Sequence, residues 1–93
     1  MQNNNRLLAY DIFSREAGYD LQYQNYTNVI FRDILTSMRV IVDLEEGMVI
    51  GQRYGYANAV LPLTVDAPVV LAHWDWQREP EKAHSQPVQV TMF

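Results

Sequence analysis

The clearest pattern in the chain lies at residues 39–52, which read RVIVDLEEGMVIGQ. Val40, Val42 and Leu44 recur every second residue, and side chains two residues apart point to the same face of a β-strand. The alternation stops at a Glu-Glu-Gly triplet, where Gly47 supplies the positive φ that tight turns need. The two-residue period then resumes on the far side. The stretch therefore predicts an antiparallel β-hairpin.

Two helices are predicted upstream of this hairpin. Asn5 is a suitable cap for the first, which covers roughly the first fifteen residues and ends before Gly18. Residues 27–38 carry an apolar stripe at helical spacing and predict the second helix. That stripe consists of Ile30, Ile34 and Met38. Between the two, residues 19–26 alternate and are expected to be extended, with a helix as the alternative.

Three more strands are predicted after the hairpin, over residues 58–65, 69–76 and 88–92. A polar, proline-containing linker at 77–87 precedes the last of them. The chain is thus expected to form one α+β domain over residues 1–93. Two N-terminal helices would pack on a small, mainly antiparallel sheet of four to five strands.

Composition restricts the class of protein. The 93 residues include 48% hydrophobic ones and no cysteine, which predicts a real core without disulfides or thiolate metal sites. No segment resembles a signal peptide or approaches the ~20 apolar residues of a membrane span, so a cytoplasmic protein without membrane contact is expected. Seven basic residues against eleven acidic ones, with the arginines scattered, make direct nucleic-acid binding an unfavoured hypothesis.

Signatures of catalysis are weak. The serines lack a nucleophile elbow, and the glycine spacing fits no phosphate-binding loop, so no cofactor is expected. His73 and Asp75 would share one face of a strand, and His84 could join them as a metal site or an acid–base pair. The favoured interpretation is that His73 and Asp75 simply form the solvated face of that strand, with no catalytic or metal-binding role.

The aromatic residues are the most informative surplus. Six tyrosines are many for this length, and several alternate with uncharged polar residues. A tyrosine ring offers a large contact area with a polar tip, which is typical of binding interfaces. The residues expected to contact a partner are Tyr19, Tyr23, Tyr26, Tyr54 and Tyr56, with Glu45 and Glu46 at the rim.

These observations favour a small non-enzymatic binding protein that docks on a larger protein machine and modulates or inhibits it. Small acidic proteins of this kind are common among phage and mobile-element products. The expectation of such a product therefore comes from the class of protein and not from particular residues. A self-assembling subunit that uses its C-terminal strand is the first alternative. A small metal-dependent or acid–base enzyme using His73, Asp75 and His84 is the second.

Overall fold

The computed structural model describes residues 4–79, in which five strands form one antiparallel sheet with the order β1-β2-β3-β4-β5. The elements are α1 (Asn5–Ile12), β1 (Tyr19–Gln24), β2 (Asn28–Asp33), β3 (Arg39–Asp43), β4 (Met48–Gln52), β5 (Ala59–Pro62) and α2 (Ala67–Ala72). The predicted α+β class with an antiparallel sheet is therefore confirmed. The strand expected at 88–92 lies outside the described residues.

The hairpin formed by β3 and β4 is confirmed as predicted. Val40, Val42 and Leu44 are all buried, so the two-residue period placed the core side correctly. Asp43 closes the turn, since its Oδ1 accepts hydrogen bonds from the backbone N–H groups of Glu45 (3.0 Å) and Glu46 (3.1 Å). The glycine that follows them has a φ of 69°. Local turn chemistry and the alternation therefore agree on one register.

Helix α1 is shorter than the sequence predicts, because it ends at Ile12. Ala9 and Ile12 face the sheet and are buried, together with the adjoining Phe13. The polar side of the helix is tied to the edge strand: Arg6 and Tyr10 both donate hydrogen bonds to the side-chain oxygen of Gln24. These contacts place α1 on the sheet face that forms the core.

The helix predicted over residues 27–38 is wrong, since this segment forms strand β2 and a turn. Val29 and Phe31 are buried two residues apart, and β2 is paired on both sides, with β1 and with β3. Two ladders of backbone hydrogen bonds outweigh the weak helical stripe of a β-branched segment. Asp33 then caps the turn, its Oδ1 accepting from the backbone N–H of Leu35.

The strand predicted over residues 69–76 is also wrong, because α2 occupies its first part. Pro68 lies in the first helical turn, where its missing N–H costs nothing. Ala67 and Leu71 are four residues apart and both buried, which is a helical period. The helices therefore lie at opposite ends of the described chain, and the expectation of two N-terminal helices is corrected. The strand predicted over residues 58–65 is present but shorter, and it is β5.

The two faces of the sheet differ in burial. One face of the sheet is buried under the helices, and we call it the inner face. Its residues are Val29, Phe31, Val40, Val42, Val49, Gly51, Ala59 and Leu61. The outer face has no fully buried residue in the part of the chain that the structure describes. Within residues 4–79, no helix is long and apolar enough to cross a membrane.

Candidate protein-binding surface

The outer face carries a row of apolar side chains that crosses all five strands. We call it the apolar row; its members are successive cross-strand partners, namely Tyr23, Ile30, Ile41, Ile50 and Val60. The two ends, Tyr23 and Val60, are 56% and 55% exposed, whereas the isoleucines between them are half-buried. The outer face of the sheet thus has an apolar strip across its whole width, exposed at its two ends and half-buried in the middle.

A β-bulge in β1 decides which tyrosines reach this face. Residues 19–26 are largely extended as predicted, but the register shifts between Leu21 and Tyr23, which leaves Gln22 as an extra residue. An extra residue reverses the alternation that follows it. Tyr19 therefore points into the core, while Tyr23 lies opposite Ile30 on the outer face.

Two rows of different character flank the apolar row. Towards the β2–β3 turn lie Asp20, Arg32, Arg39 and Gln52, which are again successive cross-strand partners. Towards the β3–β4 turn lie Asn28, Asp43, Met48 and Pro62. Arg32 is paired directly with Arg39, an unfavourable position for two like charges, and neither forms an ion pair within residues 4–79. The two ends of the outer face therefore differ in charge, with Arg32 and Arg39 towards one end of the strands and Asp43 towards the other.

The connection between β4 and β5 folds back on the end of the described chain. Tyr56 forms an antiparallel bridge with Arg78, and the backbone N–H of Ala57 donates to the carbonyl of Gln77 at 2.8 Å. On the other side of the bridge, Glu79 N–H donates to the carbonyl of Gly55 at 2.9 Å. Gly55 has a φ of 88°, which a side chain would oppose. The loop is thereby held in place by backbone hydrogen bonds.

This loop assembles a group of arginine and tyrosine side chains. The guanidinium carbons of Arg53 and Arg78 lie 4.9 and 5.4 Å from the centre of the Tyr56 ring. Trp76 supports the same ring edge-on at 6.2 Å. Cation–π attraction holds guanidinium groups at such distances. Tyr54, on the same loop, is fully exposed. We call Arg53, Tyr54, Tyr56 and Arg78 the Arg–Tyr cluster.

The electrostatics of the cluster are unbalanced. Two positive charges share one aromatic ring, and no carboxylate within residues 4–79 forms an ion pair with either of them. Arg39 and Glu79 line the same open concavity, whose volume is about 780 Å³. Both guanidiniums line this concavity, so an anionic group bound there would offset their positive charge and accept hydrogen bonds from their N–H groups. The cluster is thus suited to carboxylate or phosphate oxygens.

The tyrosines predicted as one contact surface do not lie together. Tyr19 is 5% exposed in the core, where its ring packs edge-on against Phe13 at 5.0 Å. A partner cannot reach this ring while β1 is folded, so the expectation that Tyr19 is a contact residue is corrected. Burial, followed by the charge of Asp33 opposite it, raises the pKa of Tyr19 to about 12.

The remaining predicted contact residues divide between the two ends of the sheet. Tyr26, Glu45 and Glu46 are exposed in the β1–β2 and β3–β4 turns, at one end. Tyr54 and Tyr56 lie in the β4–β5 connection, at the opposite end. A five-residue strand spans roughly 17 Å, so one small epitope cannot take in both groups. Tyr23 lies between them on the outer face.

His73 and Asp75 are not on a strand. His73 caps the C-terminus of α2, where its Nδ1 lies 3.0 Å from the carbonyl oxygen of Val69, and Asp75 follows in a loop. His84 lies outside the described residues. Among residues 4–79 no three His, Asp or Glu side chains come together as metal ligands. His73 and Asp75 nevertheless line one open concavity of about 510 Å³. The metal-dependent or acid–base enzyme stays a hypothesis.

Sequence reasoning missed the gathering of the arginines. Arg32 and Arg39 are seven residues apart, but the β2–β3 turn makes them neighbours. Arg53 and Arg78 are still farther apart and meet on Tyr56 through the bridge between distant segments. The first pair could have been found once residues 28–33 were assigned to a strand. The second pair has no local signal.

The site rests on its own geometry. No protein-family model, no curated protein and no solved structure matches the chain.

Proposed function

We propose that the chain is a non-enzymatic binding protein that docks on a larger protein or protein complex through the Arg–Tyr cluster and modulates it. The partner presents carboxylate groups to Arg53 and Arg78 and an apolar or hydrogen-bonding surface to Tyr54. The single observation that carries this proposal is the placement of two guanidinium groups on one tyrosine ring beside a fully exposed tyrosine.

Preorganisation is the physical reason to favour this surface. Arginine and tyrosine are enriched among the residues that dominate binding energies, because they combine contact area with directional hydrogen bonds. Arg53 and Arg78 contact the ring of Tyr56, and the loop is held by backbone hydrogen bonds, so part of the ordering that binding requires is already present.

The charge of the whole chain favours a protein partner over a nucleic acid. A formal net charge of −4 repels an extended polyanion, whose binding depends on many phosphate contacts. A local acidic patch on a protein meets only the arginine-rich end of the sheet. The partner is thus expected to be acidic at its contact site, with apolar or aromatic residues beside its carboxylates.

The test uses the full chain as bait in a native lysate, with captured proteins identified by mass spectrometry and the main partner then titrated in purified form. Tyr54→Ala is expected to raise Kd by roughly tenfold or more, as loss of an interface hot spot does. Tyr26→Ala is the matched control, because Tyr26 is 88% exposed at the opposite end of the sheet. It is expected to leave Kd unchanged.

A second pair of variants tests the charge. Arg53→Gln with Arg78→Gln is expected to weaken binding and to flatten its dependence on salt. Arg15→Gln changes the same kind of exposed side chain outside the concavity and serves as the control. Equal affinity for the cluster variants and their controls would contradict the proposal. Capture of nucleic acid instead of protein would do the same.

A further inference from the structure

We infer that the outer face of the sheet binds a second copy of the chain, forming a symmetric dimer in which the two apolar rows lie against each other. None of the four residues of the Arg–Tyr cluster belongs to the apolar row, although Arg39 beside the row also lines the concavity of the cluster. The inference does not depend on the docking function. It assigns a partner to the one face of the sheet that the helices leave open in the described part of the chain.

The apolar row gives the dimer its contact. Sheets with one apolar face pack face to face at about 10 Å, with side chains of the two faces interleaved. Here Ile30, Ile41 and Ile50 form the middle of the strip, and the most exposed members lie at its two edges. Because the row runs straight across the strands, a second row can lie along its whole length.

The charges decide the orientation of the second copy. Arg39 and Asp43 are both on β3, two residues to either side of Ile41, so each lies roughly 7 Å from the row along the strand. A two-fold axis that runs along the row exchanges these two sides. It sets Arg39 of each copy over Asp43 of the other, and symmetry makes this ion pair twice.

The second aligned arrangement of the two sheets is unfavourable. A two-fold axis parallel to the strands would set Arg39 over its own counterpart and Asp43 over its own counterpart. Like charges at these distances repel, and both pairs would lose contact with water. With the axis along the row, Arg32 meets only the uncharged Asn28 side of the second copy. Of these two aligned arrangements, only the axis along the row makes the outer face self-complementary.

The association is measured by sedimentation equilibrium over a wide range of protein concentrations, with circular dichroism as a control for folding. The unchanged chain is expected to have twice the monomer mass. Ile41→Arg puts two charges at the centre of the interface and is expected to give a monomer. Leu35→Arg is the matched control, because Leu35 is 92% exposed in the β2–β3 turn, and it is expected to remain a dimer.

A double-mutant cycle tests the orientation. Arg39→Glu is expected to raise the dissociation constant of the dimer by roughly two- to thirty-fold or more, the range that two exposed ion pairs carry. Asp43→Asn keeps the Oδ1 that accepts the turn hydrogen bonds while it removes the charge. Alone, it weakens the dimer. In the Arg39→Glu background it strengthens the dimer, since it removes the repulsion between Asp43 and the carboxylate introduced at position 39.

The possible results separate the explanations. A monomer at every concentration would overturn the inference, whether another protein or part of the same chain covers the row. A dimer that tolerates Ile41→Arg would also overturn it and would favour assembly through the C-terminal strand. A dimer that Arg39→Gln strengthens would rule out the axis along the row. The Arg53→Gln and Arg78→Gln variants are expected to dimerise normally, so failure of the docking proposal leaves this test intact.

Discussion

Tyr19 offers a prediction that can be worked through from its surroundings. Its ring is 5% exposed, packs against Phe13, and lies across the ladder from Asp33. Burial is the larger cause and the negative charge of Asp33 the smaller one, and together they raise the pKa of the phenol from 10.0 to about 12. Replacing Tyr19 by Phe removes the hydroxyl and keeps the ring contacts.

The sign of the pH effect follows from which state ionises first. The folded-state pKa is the higher one, so the stabilising contribution of the neutral phenol is fully present below pH 10. It is lost as the pH rises from 10 to about 12, because the unfolded chain releases the proton while the folded chain still holds it. Each pKa unit corresponds to about 1.4 kcal/mol, so the full loss is at most about 3 kcal/mol.

The assay is denaturant unfolding of the unchanged chain and of Tyr19→Phe between about pH 9 and pH 12. The other tyrosines are common to both proteins, so the difference between the two free energies of unfolding isolates Tyr19. That difference is expected to be constant below pH 10. Above pH 10, the free energy of unfolding of the unchanged chain is expected to fall relative to that of Tyr19→Phe. If the free energies of unfolding of the two proteins ran parallel over the whole pH range, the phenol of Tyr19 would not be buried and neutral, and Tyr19 would be a surface residue.

Two further predictions concern packing and a turn. Gly51→Val is expected to cost roughly 1–3 kcal/mol in unfolding experiments, since even a Cβ at this position would lie 2.9 Å from the Cδ2 of Leu71. Adding Leu71→Ala restores room, so the double variant should be less destabilised than the sum of its parts; strict additivity would contradict the contact. Asn25→Ala is expected to cost about 1 kcal/mol, because the Oδ1 of Asn25 accepts backbone hydrogen bonds from Thr27 and Asn28. Thermal unfolding should show Asn25→Asp close to the unchanged chain, and equal losses for both variants would count against this role.

The errors in the predicted elements share one cause. Residues 28–33 and 67–72 both contain β-branched residues at spacings that fit a helix as well as a strand. In the first segment, pairing with strands on both sides outweighs the helical stripe. The second segment pairs with no strand within residues 4–79 and forms the helix α2. Propensity is a weak prior against such tertiary contacts. The hairpin at 39–52 was predictable because its turn, its alternation and its partner are all local.

The tyrosine surface shows the same limit at the level of the site. Alternation in residues 19–26 groups Tyr19 with Tyr23, but the bulge at Gln22 sends the two rings to opposite faces. Register, unlike composition, depends on how the partner strand is paired. Tyr54 and Tyr56 were predicted to be contact residues from their residue type alone. The arginines beside them could not be predicted, because they meet the tyrosines only in the folded chain.

The amino-acid sequence by itself determined the α+β class, the central hairpin, the extended nature of the tyrosine-rich segment and the surplus of interface-type side chains. These properties follow from short-range periodicity and turn chemistry, which act between residues close along the chain. Tertiary structure alone decided that Arg53 and Arg78 share one ring and that an apolar row crosses the outer face between rows of unlike polarity. The shared ring depends on a bridge between distant segments, and the apolar row depends on the register of all five strands. No local pattern encodes contacts of that range.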